Sequence, residues 1–405
     1  MIRNFSSLVF RFSGTIIQFL TGILIARFSS NEITAYYFLI LSSIWIAVYA
    51  ISLGFPNHIF IVTSESEENS NYFDLLKKYI WAYIRLALPI TLFILTCIYF
   101  FNINIQSSLF IALTSLLLSI NRFCCEVMKG SGNEILGILF DRTIFPTIVM
   151  LNIILLYVYD SFSISSINSS FVISSSLSLL LSYFTSANIL NKSGSTINKL
   201  FIDKKHISGQ YIIELGEVLI NRLPIIIFNL IFYNNSNLIA GFSICFTLVS
   251  ISGTINFALY PHFGRTFIRE LNSQNIKEAK KKLYESQLWT GFLYLLYFLI
   301  LYFFGKIILN IYNSDFVQYY NYLALYSSLM VINQFFGVSD YLMSVIRKDK
   351  IAILFKSLSI VLLILFSYFA YNKESVEVFI FAIFISIFSK NLLSYIYYFK
   401  YVFKN

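Results

Sequence analysis

The sequence predicts an all-α polytopic membrane protein of about twelve transmembrane helices, set in two six-helix lobes around a central cavity. Three observations predict it. Of 405 residues, 58% are hydrophobic and 12% charged, against about 25% charged in a soluble domain. Apolar stretches of roughly the 20 residues that cross a bilayer recur from end to end. The basic residues gather in alternate connecting segments. A single soluble core stops growing near ~250–300 residues, so a water-soluble fold has no place for this much apolar surface.

Spans are expected near residues 8–27, 35–55, 80–101, 107–128, 138–159, 169–190, 211–233, 238–260, 287–309, 320–346, 351–371 and 376–399. Every backbone group in lipid must be paired internally, which makes these helices. Strands of about ten residues with alternating polarity, the mark of a membrane barrel, are not seen. The first apolar run, Leu8 to Ala26, is interrupted by Gln18 and has no A-x-A-like end. It therefore reads as the first span and not as a cleaved leader. Cys97, Cys124, Cys125 and Cys245 all fall in apolar text without paired spacing, so neither a disulfide framework nor a zinc site is indicated.

Orientation follows from lysine and arginine. With the N-terminus cytoplasmic, twenty basic residues fall in inner segments. The outer ones hold Lys373, with Arg27 and Lys306 at the edges. Both termini are thus expected in the cytoplasm, with the basic loops against anionic membrane lipids. That accounts for the net charge of +9 without nucleic acid. The inner loops expected to be longest are 56–79, 191–210 and 261–286. His58, His206 and His262 fall in these loops, solvated and without metal-ligand spacing. The segment 270–289 reads as a short amphipathic helix on the inner leaflet.

An internal repeat divides the chain into an N-terminal lobe, 1–205, and a C-terminal lobe, 206–405. Residues 23–38 align with 228–243, Pro56 with Pro261, and 74–79 with 278–283. Six helices per unit give both units the same orientation, related by an axis along the membrane normal. That layout suits alternating access.

Ionisable residues inside the membrane are costly and face bundle interiors or water. Here they are Arg85, Arg122, Arg142, Arg222, Lys356 and Lys390, with Glu126, Asp141, Glu214, Glu217 and Asp340. Most lie toward the cytoplasmic ends. Arg85 and Lys356, for example, lie roughly 8–9 Å inside. A cavity lined this way would be cationic and wettable from the cytoplasm. The candidate cavity residues are Arg222, Glu214, Glu217, Asn221, Arg85, Arg122, Lys356 and Lys390. Glu214, Glu217 and Asp340 are the carboxylates placed to couple an ion. In helix seven, Glu214, Glu217 and Asn221 share a face, and Arg222 lies about 80° from Glu214 on the wheel. Pro224 interrupts the ladder just beyond. This face is open to two readings: a polar wall of the substrate path with a hinge, or an internal network holding the bundle. Arg122 and Glu126, spaced i and i+4, are expected to pair. Arg142 is expected to snorkel.

The stretch "GILIARFSSNEITAYYFLILSSIWIAVYAISLGFP" (22–56) resembles the opening helix pair of the polysaccharide-transporter family, the Wzx-type O-antigen flippases. There an "AR" ends helix one and helix two runs to an "lG" pair, places that Arg27 and Gly54 occupy. Residues 220–261 resemble the family's helices seven and eight, with Arg222 at its basic position. Where the family commonly has Asp, this chain has Pro224, so no role of that Asp carries over. The resemblance implies flipping of an undecaprenyl-pyrophosphate-linked oligosaccharide, in O-antigen or lipopolysaccharide biosynthesis. The move would be from the cytoplasmic to the periplasmic leaflet of the bacterial inner membrane. It also implies the two-lobed fold of the multidrug/oligosaccharidyl-lipid/polysaccharide superfamily. The implied partners are the lipid-linked substrate, a polysaccharide polymerase and a chain-length regulator. No enzymatic cofactor is implied, and with no Walker A sequence the energy source would be H+ or Na+.

Two other classes compete. An ion-coupled drug or cation antiporter of the same superfamily would favour an acidic cavity. An O-antigen polymerase would carry a long periplasmic loop with catalytic residues, and the outer loops here are too short.

Overall fold

A computed structural model describes residues 2–65, 72–100, 105–190, 204–346 and 348–403. The linker 191–203, with Lys192 and Lys199, lies outside the described residues, as do the side chains of Arg3, Arg11, Cys97, His206 and His262. Among the described residues there is helix and no strand. Among the described residues, seven helices are long and apolar enough to cross a membrane.

The chain forms two compact units, residues 1–215 and 216–405. The first holds α1 (Ile2–Phe28), α2 (Asn31–Ser52), α3 (Phe55–Glu65), α4 (Tyr72–Phe100), α5 (Ile105–Gly130), α6 (Glu134–Ile138), α7 (Phe145–Val158) and α8 (Ile164–Leu190). A π-turn segment, Leu139–Ile144, joins α6 to α7. The division falls inside α9 (Lys204–Ile231). The second unit continues with α10 (Ser236–Ile251), α11 (Gly253–Asn272), α12 (Ile276–Tyr312), α13 (Tyr320–Val345), α14 (Asp349–Lys373) and α15 (Val376–Tyr397).

In each unit the second expected span is interrupted. Leu53 and Gly54 take left-handed φ values of 52° and 74° between α2 and α3, and only glycine does so without steric cost. Between α10 and α11 the interruption is at Ser252. Matching these breaks shifts the repeat at this point. Pro56 begins α3, whereas Pro261 lies deep within α11. The prolines aligned in sequence are therefore not structural equivalents.

Each unit has a central helix. In the first, α5 packs against α2, α3, α4 and α8; in the second, α13 packs against α10, α12 and α15. Around α5 the core contains Phe55, Tyr79, Tyr83 and Phe123. In the second unit Phe228 of α9 stacks on Phe242 at 3.8 Å and meets Phe379 edge-on. The outward surfaces are apolar: Phe292, Leu296, Ile300, Phe303 and Ile307 of α12 are all exposed. Such continuous exposure marks a lipid-facing wall.

α8 packs through small residues. Ser170, Ser174, Ser178, Ser182 and Ser186, four residues apart, are all buried, and small side chains let membrane helices approach closely. Ser170, Ser174 and Ser186 donate to the carbonyl one turn back in their own helix. Ser182 also donates to Asn121 of α5 at 2.6 Å. On α1, a Cβ at Gly14 would run into the carbonyl oxygen of Arg142 in the π-turn segment, so only glycine fits this crossing. Thr143 donates to the Phe10 carbonyl at 3.0 Å beside it.

The inner loops are shorter than expected. Residues 56–65 are helical in α3, and α4 begins at Tyr72. His58 is not solvated: it is 6% exposed, with its Nδ1 2.6 Å from the Tyr79 hydroxyl. The amphipathic stretch near 270–289 is not a separate surface helix. A three-residue turn at 273–275 leads straight into the 37-residue α12, whose first turns carry Lys277, Lys281 and Lys282. The Asn275 side chain accepts from the Glu278 amide and starts that helix.

Candidate functional site

Charged side chains of the apolar helices gather into clusters, each within one unit. In the second unit four helices contribute. Glu217 comes from α9, Asp340 from α13, Lys356 from α14 and Lys390 from α15. The two ammonium groups donate to the same oxygen, Oε2 of Glu217, at 2.7 and 2.8 Å. Asp340 Oδ2 accepts from Lys390 at 3.1 Å and lies 3.5 Å from Lys356. Each lysine thus sits between two carboxylates and each carboxylate between two lysines. Three of the side chains are 5–8% exposed, whereas Glu217 is 42% exposed. The exposed carboxylate therefore joins a buried group to the exterior of the unit. Its other oxygen accepts from Asn221 Nδ2 at 3.3 Å.

The backbone makes room for this arrangement. The stem of Lys356 runs beside Gly216, where an added Cβ would meet its methylenes at 3.4 Å. Long aliphatic stems bury well along apolar surface while their ammonium groups seek partners. Asp340 Oδ1 is buried without a hydrogen-bond partner among the described residues. Behind the cluster, Asn391 donates to Asn333 at 2.7 Å and ties α15 to α13.

In the first unit Glu214 accepts from Asn57 at 2.6 Å and lies 3.9 Å from the Arg122 guanidinium. That guanidinium lies over the Tyr49 ring at 4.1 Å, a cation–π placement. The expected pair of Arg122 with Glu126 is not formed. Glu126 instead receives Lys129 at 2.9 Å, which also reaches Asp141 of the π-turn segment at 3.0 Å. The π-turn sets Asp141 within reach of the last turn of α5, and the Tyr49 face draws Arg122 the other way. Lys129 is therefore a largely enclosed cation in the last turn of α5, its side chain 15% exposed. Asp141 also pairs with Arg142 at 3.3 Å, and the Arg142 side chain is 46% exposed.

Glu214 and Glu217, expected on one face, thus go to different partners. Arg222 is half-buried on α9, and helix continues on both sides of Pro224. Arg85 is exposed on α4. The balance in the clusters is close to neutral, since each buried cation named here meets a carboxylate. The π-turn and the α8 serines were missed in sequence. The four-residue spacing of the serines was the available signal. The π-turn left none.

The fold and these clusters define a class: a multi-pass, all-helical membrane protein with charged groups held inside apolar bundles. No protein-family model matches the sequence, and a comparison with curated proteins found no match. Solved structures are similar in fold. The MATE transporter VcmN of Vibrio cholerae, in a mutant form, matches with a TM-score of 0.65 at 11% identity, over 99% of this chain and 97% of that one. An inward-facing multidrug-resistance MATE transporter of the MOP superfamily matches with a TM-score of 0.70 at 11% identity, over 96% and 93%. A MOP superfamily transporter of Pyrococcus furiosus, described as having a binding pocket of reverse polarity that suggests a different function, matches with a TM-score of 0.60 at 9% identity, over 99% and 96%. The chain has the fold of these two-lobed, twelve-helix membrane transporters.

Proposed function

We propose that this protein is a transporter that flips an undecaprenyl-pyrophosphate-linked oligosaccharide from the cytoplasmic to the periplasmic leaflet of the inner membrane by alternating access. One observation carries the reading: two buried lysines, Lys356 and Lys390, converge on one half-exposed carboxylate within apolar helices. An unpaired polar group costs several kcal/mol in hydrocarbon, so a pyrophosphate with its sugars crosses only where cations receive it. Paired lysines do so while staying neutralised when no substrate is bound. Arg222 and Arg122 belong to the same reading as candidate contacts of the path. Glu214, Glu217 and Asp340 are its candidate sites for H+ or Na+ coupling.

A cation or drug antiporter is the second reading. It is favoured by the multidrug transporters that share the fold and by the half-exposed Glu217. Two lysines on that carboxylate disfavour a cationic cargo. Among the described residues, the connections that alternate with those nearest the termini (29–30, 159–163, 232–235, 313–319 and 374–375) are seven residues or fewer. That leaves no room for the long catalytic loop of a polymerase.

The test is deletion of the gene followed by analysis of lipid-linked intermediates. Repeat units trapped in the inner leaflet support flipping, and units flipped but unpolymerised count against it. In the complemented strain, Arg222→Ala is expected to abolish surface polysaccharide while the protein remains inserted. Normal surface polysaccharide with that variant removes Arg222 from the path.

A further inference from the structure

We infer that Lys356 and Lys390 form a seat for a phosphate-class anion, and that the Glu217 carboxylate is its built-in, exchangeable occupant. The inference rests on the flippase reading and deepens it by naming where the headgroup phosphate binds and what it displaces.

The argument begins with asymmetry. Both lysines donate to a single oxygen, Oε2 of Glu217, at 2.7 and 2.8 Å. Two ammonium groups on one oxygen are spaced as two donors on a phosphoryl oxygen would be, and charged donors of this kind bind phosphate strongly. The two carboxylates in the cluster are not equivalent. Asp340 is 8% exposed and stays with the lysines, whereas Glu217 is 42% exposed. Glu217 alone of the four has open space beside it and a second polar contact, Asn221, on the side away from the lysines. Its three-bond side chain moves without disturbing the backbone of α9. Asn221, exposed one turn further along the same helix, already holds its second oxygen at 3.3 Å and marks the direction in which it would swing.

The charges decide the ligand class. With Glu217 in place, two lysines face two carboxylates and the cluster is neutral. With Glu217 swung away, one positive charge remains buried beside Asp340. An anion that enters offsets this charge, as one negative group of a phosphate or pyrophosphate does against the lysines; a cation would double the imbalance. A phosphate or pyrophosphate also brings several acceptor oxygens, so both lysines keep their hydrogen bonds. A ligand shifts an equilibrium only by its differential affinity for the two states, and here that difference is the choice between Glu217 and the ligand as partner of the lysines. The seat is therefore self-neutralised when empty and costs no unpaired charge in the apolar bundle.

The experiment measures binding of inorganic pyrophosphate to the purified full-length chain in detergent by microscale thermophoresis, with inorganic sulfate as a second anion. Glu217→Gln removes the competing carboxylate and keeps the side-chain shape; it is expected to bind pyrophosphate at least tenfold more tightly than the unaltered protein. Lys356→Gln and Lys390→Gln are expected to bind at least tenfold more weakly. Glu217→Asp keeps the charge but shortens the reach, and its affinity should fall between those of Glu217→Gln and the unaltered protein. This second variant keeps the test decisive if Glu217→Gln fails to elute as a folded monodisperse species. Glu217→Gln or Glu217→Asp binding pyrophosphate no more tightly than the unaltered protein would overturn the exchange. Equal tightening for sulfate would reduce the seat to a nonspecific anion site and overturn its phosphate class. The flippase reading fails separately: it falls if deletion leaves lipid-linked units unaffected, whatever the binding data show.

Discussion

The two units solve the same problem, a lysine inside an apolar bundle, in different ways. In the first, Lys129 is closed between Glu126 and Asp141, and all three side chains are 11–15% exposed. In the second, Lys356 and Lys390 share carboxylates of unequal burial, one 8% and the other 42% exposed. The first arrangement joins the end of α5 to the π-turn segment, and neither of its carboxylates is itself exposed; only the added cation, Arg142, reaches outward. The second opens at Glu217. The residue types are the same in both; the contact of one partner with the exterior separates a structural clamp from a site that can trade partners.

The largest expected effect separates the buried carboxylate from the open one. Asp340→Leu leaves two lysines dependent on Glu217 alone, and removing one partner of a buried ion pair costs about 3–5 kcal/mol. Thermal unfolding of the detergent-solubilised protein should show it. The double change Asp340→Leu with Lys390→Met should recover much of the loss, since replacing both partners with apolar groups is often near neutral. Glu217→Gln removes the same charge but keeps an amide oxygen that can accept from both lysines at the open end, so its loss by the same assay should be smaller than that of Asp340→Leu. An equal loss for Asp340→Leu and Glu217→Gln would erase the distinction between the two carboxylates.

Next in size is the clamp of the first unit. Lys129→Met strands Glu126 and leaves Asp141 to Arg142 alone, and its penalty should approach about 3 kcal/mol. The comparison sharpens when transport is measured beside stability. Lys129→Met combined with Glu126→Gln and Asp141→Asn should restore unfolding temperature and leave transport intact. Loss of transport in that stable triple variant would show that the first cluster also serves the path. Smallest is Ser182→Ala, which removes the hydrogen bond to Asn121 and should cost about 1 kcal/mol. Its effect on unfolding should be visible only beside the unaltered protein in the same run.

Much of this architecture is legible in the chain, because the bilayer restricts the menu so severely. Length, apolar runs and charge placement specify helices, their order and the two-fold repetition, as the parallel roles of α5 and α13 show. Gly54, picked out by resemblance, sits at the break between α2 and α3, where its backbone freedom is used. The partners of charges are less legible. Arg122 and Glu126 have ideal helical spacing, yet Arg122 turns to Glu214 and Tyr49 of other helices and Glu126 to Lys129 one turn along α5, which is itself drawn by Asp141, since local geometry competes with tertiary contacts that spacing does not encode. Likewise Glu214 and Glu217 are near neighbours on α9, but three residues of helix turn them toward different groups. The inner loops read as long because charged text signals water; in the structure much of it continues the helices. His58 shows the cost of that inference: a polar residue after a proline reads as loop, while an aromatic hydroxyl across the bundle gives it a buried place.

The hydroxyls of α8 carry one more consequence. Ser170, Ser174 and Ser186 spend their donors on their own backbone, so the flank they line is smooth to its neighbours and makes few directional ties. The same small side chain returns every fourth residue, a pitch of roughly 6 Å. A flank of that kind looks alike after each step along its axis, and the bonds from Ser182 to Asn121 and from Asn152 of α7 to Ser174 are the teeth that tell one step from the next.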